Sequence, residues 1–433
     1  MRLKYTWLLL FFTCFVYSQQ NDSIQQFSHF ISPDILVGKT QPSNSGFPEA
    51  KLQKSLFVDF GKYHNRKLDE WAYRLKYART GVSIGVTDYG NPEYIGYSVS
   101  AIPFIEFDFL RKKKKDLKMN IGIGTTYFTR KYDSVPYIFN DILENTNRSV
   151  STRLTWTFRL FLHYEFLKKS KTNWRIGVGL YHHSNGHTSL PNHGMNAFLF
   201  SLSSQTNYTR KKLKPIVDTI AKPIYKKSKQ DYLSIRFGAG QNSFTEEINS
   251  KKGVYSVDLS YGKIINKTFK FGVGAYYRFY EHFYDYIKND GELVLEEYPH
   301  FQDKPFSYAS SLGVFLTSEL LMGHIGLEVE VGYTIYKPFY EVEYQLEQGF
   351  YWNINPPSGP ETIFILAEFD ETYKIKKAIS GRVGLKYYLI TNEKSPTNNL
   401  YLGIHIISKY GQADFTELSL GYVYRFKLKE KKK

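Results

Sequence analysis

From Leu154 onward, apolar and polar side chains alternate with a period of two. Leu154, Trp156, Phe158, Leu160, Leu162, Tyr164 and Phe166 fall on one face, and Arg153, Thr155, Thr157, Arg159, Phe161, His163 and Glu165 on the other. Successive side chains of a strand point to opposite faces, so the segment predicts a strand with one continuous oily side. Ile325, Leu327, Val329, Val331 and Tyr333 stand against Gly326, Glu328, Glu330 and Gly332 in the same way, as do Leu400, Leu402, Ile404 and Ile406 against Tyr401, Gly403 and His405. The pattern predicts fourteen strands, at about 71–88, 93–110, 117–130, 149–166, 173–184, 196–209, 230–241, 253–264, 267–281, 306–319, 324–336, 378–390, 398–409 and 415–428.

Strands of ten residues or more with an apolar outer face suit a barrel wall in a bilayer. The expected fold is all-β, a transmembrane antiparallel up-and-down β-barrel of 12–14 strands, with 14 preferred. An even count puts both chain ends on the periplasmic side. Short connections (111–116, 167–172, 264–267, 320–323 and 391–397) then fall on that side, and long ones (131–148, 282–305 and 337–377) on the external side. Residues 210–229 break this order, being long and basic on the short-turn side. Either they form a periplasmic helix or hairpin, or the count is off by two.

Composition agrees with a barrel. There are 37 Tyr, 33 Phe and 5 Trp, 17% of the chain, yet mean hydropathy is −0.40. A soluble aromatic-rich β-protein is the alternative. The chain opens with Met1-Arg2-Leu3-Lys4, an apolar run from Trp7 to Tyr17 and then Ser18, the form of a signal peptide over 1–18. Residues 19–70 read as a periplasmic or loop segment (a lead-in, a plug or an early strand), with Gly38 to Gly46 as loop, 71–428 as the transmembrane barrel and 429–433 as a basic tail. The single cysteine, Cys14, lies in the leader, which fits export. Formal charge is +16, and loss of Arg2 and Lys4 with the leader makes it +14. An exported chain does not meet nucleic acid, so anionic lipid head groups are the better partner, although most lysines simply solvate turns.

The segment Tyr181-His182-His183-Ser184-Asn185-Gly186, followed by Pro191-Asn192-His193-Gly194-Met195-Asn196, carries the candidate chemistry. Trp174, Ile176, Val178, Leu180, His182 and Ser184 share one face of their strand. Asn196 shares the apolar face of the next strand with Phe198, Phe200 and Leu202. All three polar groups should therefore project outward, toward lipid, near the external rim. A serine hydroxyl is a weak nucleophile until a base takes its proton, imidazole can do so near neutrality, and a third group must hold the ring in the right tautomer. Ser184, His182 and Asn196 fit these catalytic roles. Asn185, Gly186 and Asn192, in the loop between, are the candidate oxyanion and substrate-binding donors. His182, His183, His187 and His193 invite a metal reading, but their spacing matches no closed site, so none is expected.

His182-x-Ser184-Asn185 followed by Pro191-Asn192-x-Gly194 resembles the motif of the outer-membrane lipid A deacylases. The resemblance implies Ser184 as nucleophile, His182 as base and Asn185 and Asn192 at the oxyanion site. It also implies lipid A of lipopolysaccharide as substrate, an ester-linked acyl chain as the group removed, the bacterial outer membrane as location and no cofactor. That family has Glu where this chain has Asn196. The segment with Asn196 is also similar to outer-membrane phospholipase A, which would imply a Ser-His-Asn triad, phospholipid as substrate, about twelve strands and calcium. His187 stands where that motif has arginine. A non-enzymatic pore or uptake channel, suggested by inner residues such as Arg153, Arg159, Glu328 and Glu330, is the reading from a different class.

Overall fold

The computed structural model describes residues 28–64, 69–76, 78–110, 114–132, 147–169, 171–209, 225–354 and 361–430. The expected leader, 1–18, lies outside them. All fourteen expected strands form, but two more precede them and the wall closes twice. β1 (His29–Gln41), β2 (Gln53–Tyr63), β3 (Arg79–Asp88), β4 (Tyr97–Leu110), β5 (Lys114–Phe128), β6 (Leu154–Lys168), β7 (Thr172–Ser184) and β8 (Met195–Tyr208) make one closed barrel. β9 (Ser228–Asn242), β10 (Lys252–Ile265), β11 (Phe269–Tyr280), β12 (Ser310–Met322) and β13 (Ile325–Tyr336) begin a second. A small hairpin, β14 (Phe350–Ile354) and β15 (Glu361–Ile365), stands apart from the wall. β16 (Ile379–Tyr388), β17 (Asn398–Lys409) and β18 (Gln412–Arg425) complete the second ring.

The single fourteen-strand barrel is therefore corrected to two eight-stranded barrels in series. Alternation tells a strand which face is apolar, but not which strand will close the ring. Here β8 pairs with β1 (Ile35 opposite Leu202) and β9 pairs with both β10 and β18 (Leu259 opposite Ile235, Leu420 opposite Phe237). Of the readings left open for 19–70, the early strand is the one that forms, and it is a pair: the segment supplies β1 and β2 rather than a lead-in or plug. Gly38 to Gln41, expected within a loop, end β1. The irregular basic stretch 210–229 falls between the barrels. Its residues 225–227 are described and β9 starts at Ser228, while 210–224 lie outside the described residues. With sixteen strands the parity is restored, since β8 ends and β9 begins on the short-turn side.

Both barrels are filled. An eight-stranded barrel leaves an interior just wide enough for side chains. In the first, Arg175 reaches Glu106 (3.0 Å) and Ser32 (3.1 Å), Arg159 reaches Ser83 (2.7 Å) and Asn120 (2.9 Å), and Phe57, Phe161, Tyr181 and Leu199 pack above them. In the second, Arg236 pairs with Glu328 (2.9 Å), Arg382 with Asp258 (2.8 Å) and Lys270 with Glu319 (2.9 Å). Buried charges are tolerated because each meets an opposite charge. Arg159, Glu328 and Glu330 are inner residues as expected, whereas Arg153 sits exposed at the external edge, bonded to the Tyr127 hydroxyl. These plugged interiors give the pore reading no conduit among the described residues. Outward, Ile35, Leu160, Leu202, Leu316 and Val331 form exposed apolar belts, which is the surface a bilayer demands.

Two seams join the barrels. On the short-turn side, α1 (Glu70–Arg74) lies between β2 and β3, and the Glu393 carboxylate of the second barrel accepts from the N–H groups of Glu70 (3.1 Å) and Trp71 (3.3 Å). A carboxylate suits the positive end of a helix. Trp71, Ala72 and Leu75 pack with Ile105 of one wall and with Phe269, Leu320 and Met322 of the other. On the external side, the second barrel is capped by helices α2 (Glu281–Lys288), α3 (Glu292–Glu297), α4 (Pro305–Tyr308) and α5 (Tyr340–Glu347). Phe283, Ile287, Val294, Phe301, Phe339 and Val342 form the core of that cap. The loop after β7 makes the external seam.

Candidate active site between two barrels

The register fixes the site. His182 lies opposite Asn196 across the β7–β8 ladder and opposite Phe158 across β6–β7, while Ser184 lies opposite Trp156. All project from the outer face, as parity requires. His182 Nδ1 is 2.7 Å from Asn196 Oδ1. An amide oxygen only accepts, so Nδ1 carries the proton and Nε2 keeps its lone pair. That is the tautomer a base toward a hydroxyl needs. The ring has room because residue 194 is glycine at φ +76°; a Cβ there would stand 2.9 Å from His182 Cε1.

Ser184 Oγ accepts two hydrogen bonds, from Asn192 Nδ2 (3.0 Å) and from the Gly186 N–H (3.1 Å). Two donors thus converge on the hydroxyl itself, within reach of the carbonyl oxygen that a nucleophile at Oγ would attack. Asn192 is steered in turn, since its Oδ1 accepts from the Asn185 N–H (3.0 Å). The Asn185 side chain does not face Ser184; it donates to Ser189 O (2.7 Å) and Ser151 Oγ (3.2 Å) and so holds the loop shape. Of the expected oxyanion group, Asn192 and Gly186 reach the hydroxyl and Asn185 supports them from behind. Among the described residues no hydrogen bond joins His182 to Ser184. Catalytic bonds of this kind often tighten only with substrate in place.

The four histidines disperse. His183 points into the lumen, where Thr157 bonds it (3.0 Å) and it stacks on Tyr181. His187 is buried in the external loop and His193 lines the cleft, both held below the usual imidazole range mainly by burial, with Arg148 adding to the effect on His193. No group of three metal-binding side chains occurs among the described residues.

Alternation placed Ser184 on a lipid-facing rim. The outward direction holds, but Ser184 is only 4% exposed, because the second barrel stands over it. Thr416 Oγ1 donates to Gly186 O (3.3 Å) and accepts from Trp156 Nε1 (3.3 Å). Asn249 clasps Leu190 on both sides, accepting from its N–H (2.8 Å) and donating to its carbonyl (2.6 Å). The Ser243 N–H donates to His187 O (2.8 Å), and Arg148 pairs with Glu246 across the gap. Gly186 has φ +68°, and a Cβ there would fall 2.0 Å from Thr416 Oγ1, so the loop passes the second barrel only as glycine. Together these elements enclose a cleft of about 810 Å³. His182, Ser184, Asn192 and His193 line it from the first barrel; Glu246, Glu347, Tyr351, Phe364 and Lys376 line it from the second. Burial also lowers the Lys376 ammonium below the usual lysine range.

Residues 51–205, nearly all of the first barrel, match the family model for lipid A 3-O-deacylase, PagL. The first barrel is thus similar to the lipid A deacylase family. Residues 231–354, from β9 to β14, match a second model, the acyloxyacyl hydrolase C-terminal domain. The first match spans the whole Ser184–His182–Asn196 cluster, and the second spans part of its cover, including Ser243, Glu246 and Asn249 but not Phe364, Lys376 or Thr416. The crystal structure of the outer membrane enzyme PagL is 16% identical over 40% of this chain and 97% of its own, with a TM-score of 0.27. A mutant of Rh. blastica porin is 9% identical over 93% and 99%, with a TM-score of 0.17. An outer membrane channel from Pseudomonas putida F1 is 9% identical over 95% and 100%, with a TM-score of 0.15. No curated protein matches the chain. The chain is a β-barrel protein whose two rings match models of hydrolase families.

Sequence reasoning missed Trp156, Asn249 and Thr416. The outward parity of Trp156 opposite Ser184 was readable. The other two belong to a barrel-to-barrel contact that no local pattern encodes.

Proposed function

We propose that the protein is an outer-membrane serine hydrolase that removes an ester-linked acyl chain from lipid A. Ser184 Oγ attacks the ester carbonyl while His182 Nε2 takes its proton. His182 then returns that proton to the departing alkoxide, and water hydrolyses the acyl-enzyme by the same route in reverse. Asn196 holds the ring through Nδ1, an amide doing what a carboxylate does more strongly. Asn192 Nδ2 and the Gly186 N–H stabilise the tetrahedral oxyanion. The observation that carries this reading is the convergence of those two donors on Ser184 Oγ, beside a histidine already fixed by Asn196. The external height of the site suits the leaflet that holds lipopolysaccharide.

The test is mass spectrometry of lipid A from cells expressing the wild type or Ser184→Ala. The wild type should shift lipid A down by the mass of one acyl chain. Ser184→Ala should abolish the shift while keeping heat-modifiable migration, the mark of an assembled barrel. Acyl loss that survives Ser184→Ala would overturn the assignment.

A further inference from the structure

Below the polar cleft lies a second, separate cavity of about 320 Å³ whose lining is almost wholly apolar. One wall belongs to the deacylase barrel: Ile121 and Ile123 of β5, Phe158 and Leu160 of β6, and Leu180 of β7. The other belongs to the second barrel: Leu327 and Val329 of β13 and Val383 of β16. His182 lines both cavities and is the hinge between them.

The geometry orders this slot with respect to the reaction. On β7, His182 is two residues and Leu180 four residues deeper than Ser184, about 7 and 13 Å along the strand. Ile123 stands opposite Phe158 and Phe158 opposite His182; Ile121 stands opposite Leu160 and Leu160 opposite Leu180. The slot therefore runs from the reacting centre toward the middle of the bilayer. The slot is covered on one side and open to the membrane on the other: Ile123 points outward yet is 6% exposed and Leu327 and Val383 are half-buried, while Leu160, Leu180 and Val329 stay exposed. An apolar slot open to hydrocarbon must be filled by hydrocarbon. The substrate bound at Ser184 has one part of that nature, its acyl chain; the cleft above mixes Glu246, Glu347, Lys376 and His193 with Phe350 and Phe364, and the slot is the more uniformly apolar of the two.

We infer that the acyl chain to be cleaved threads past His182 into the slot between the barrels, and that Leu327, Val329 and Val383 of the second barrel determine which chain lengths are accepted. This rests on the esterase reading above. It gives the second barrel a specificity role, although it contributes no reacting group.

The test uses the full-length protein refolded in detergent, with p-nitrophenyl esters from butyryl to palmitoyl and with lipid A. Val329→Trp and Val383→Trp fill the slot. Each should lower the long-to-short-chain ratio of kcat/KM by about tenfold, equivalent to the loss of roughly two buried methylenes. Leu327→Ala, which widens the slot, should move the preferred chain toward greater length. Leu259→Trp, on the exposed face of β10, is the matched control and should leave the profile where it is. A chain-length profile identical in all these variants, with Ser184→Ala inactive, would overturn the slot and leave the esterase standing. Activity in Ser184→Ala would overturn the esterase itself. If a tryptophan variant fails the heat-modifiability check, Leu327→Ala decides.

Discussion

The two barrels share a strand number, a filled interior and an apolar belt, and besides the helical cap of the second they differ at one telling corner. In the first, the seventh strand ends in His182 and Ser184 on its outer face and is followed by the ten-residue loop 185–194. In the second, the seventh strand, β17, carries Ile404 and Ile406 on its outer face and turns into β18 through Tyr410 and Gly411 alone. A two-residue turn has no backbone to spare for an oxyanion site. The long loop has enough to bring Asn192 and Gly186 back over Ser184. The interiors, though rich in charge, are much alike in kind. On the proposed reading, chemistry in this molecule is a property of one outer corner, while the paired charges within each ring serve stability.

That contrast can be broken most sharply by exchanging what is removed from each ring. Ser184→Ala should lower acyl release by at least about a thousandfold. Glu328→Gln, inside the second ring, should instead leave turnover per folded molecule near wild type but lower the temperature at which the barrel loses its heat-modifiable form. Breaking a buried charge network of this kind costs about 3–5 kcal/mol. Asn192→Ala should reduce kcat about a hundredfold with little change in KM, the signature of an oxyanion donor rather than a substrate anchor. Asn196→Ala should cost about tenfold or more, and Asn196→Glu should restore or exceed the original rate, since a carboxylate stabilises the imidazolium better. Asn249→Ala, on the second ring, should produce a smaller loss of a few-fold in kcat, because it acts only through the grip on Leu190. Incubation with EDTA should leave the rate unchanged; calcium dependence would favour a phospholipase-type site instead.

Much of this was legible in the alternation of side chains. Each of the fourteen expected strands is present, and the outward projection of His182, Ser184 and Asn196 follows from parity alone. β2 was equally readable, with Leu56, Val58 and Phe60 outward and Ser55, Phe57 and Asp59 inward. β1 was masked by Pro33, which has no N–H for the ladder, and by the buried Asp34, so the run resembled a lead-in. Missing that hairpin displaced the count by two and made the linker look like an anomalous turn. Closure was not legible at all. Whether β8 returns to β1 or continues to β9 depends on pairings across more than 150 residues of chain, and the same oily face would suit either. The burial of Ser184 was hidden for the same reason, since it depends on Thr416 and Asn249 of a ring that the sequence did not separate.

The position of the linker has its own consequence. Eight is even, so each ring is entered and left on the same side of the membrane, and the join between them never crosses it. Either ring can then be copied, swapped or deleted as a cassette without inverting its neighbour. A chain built on this plan can acquire a new cover for an old reaction centre by fusion, and needs only a few surface contacts, such as the one Glu393 makes with α1, to fix the pair in place.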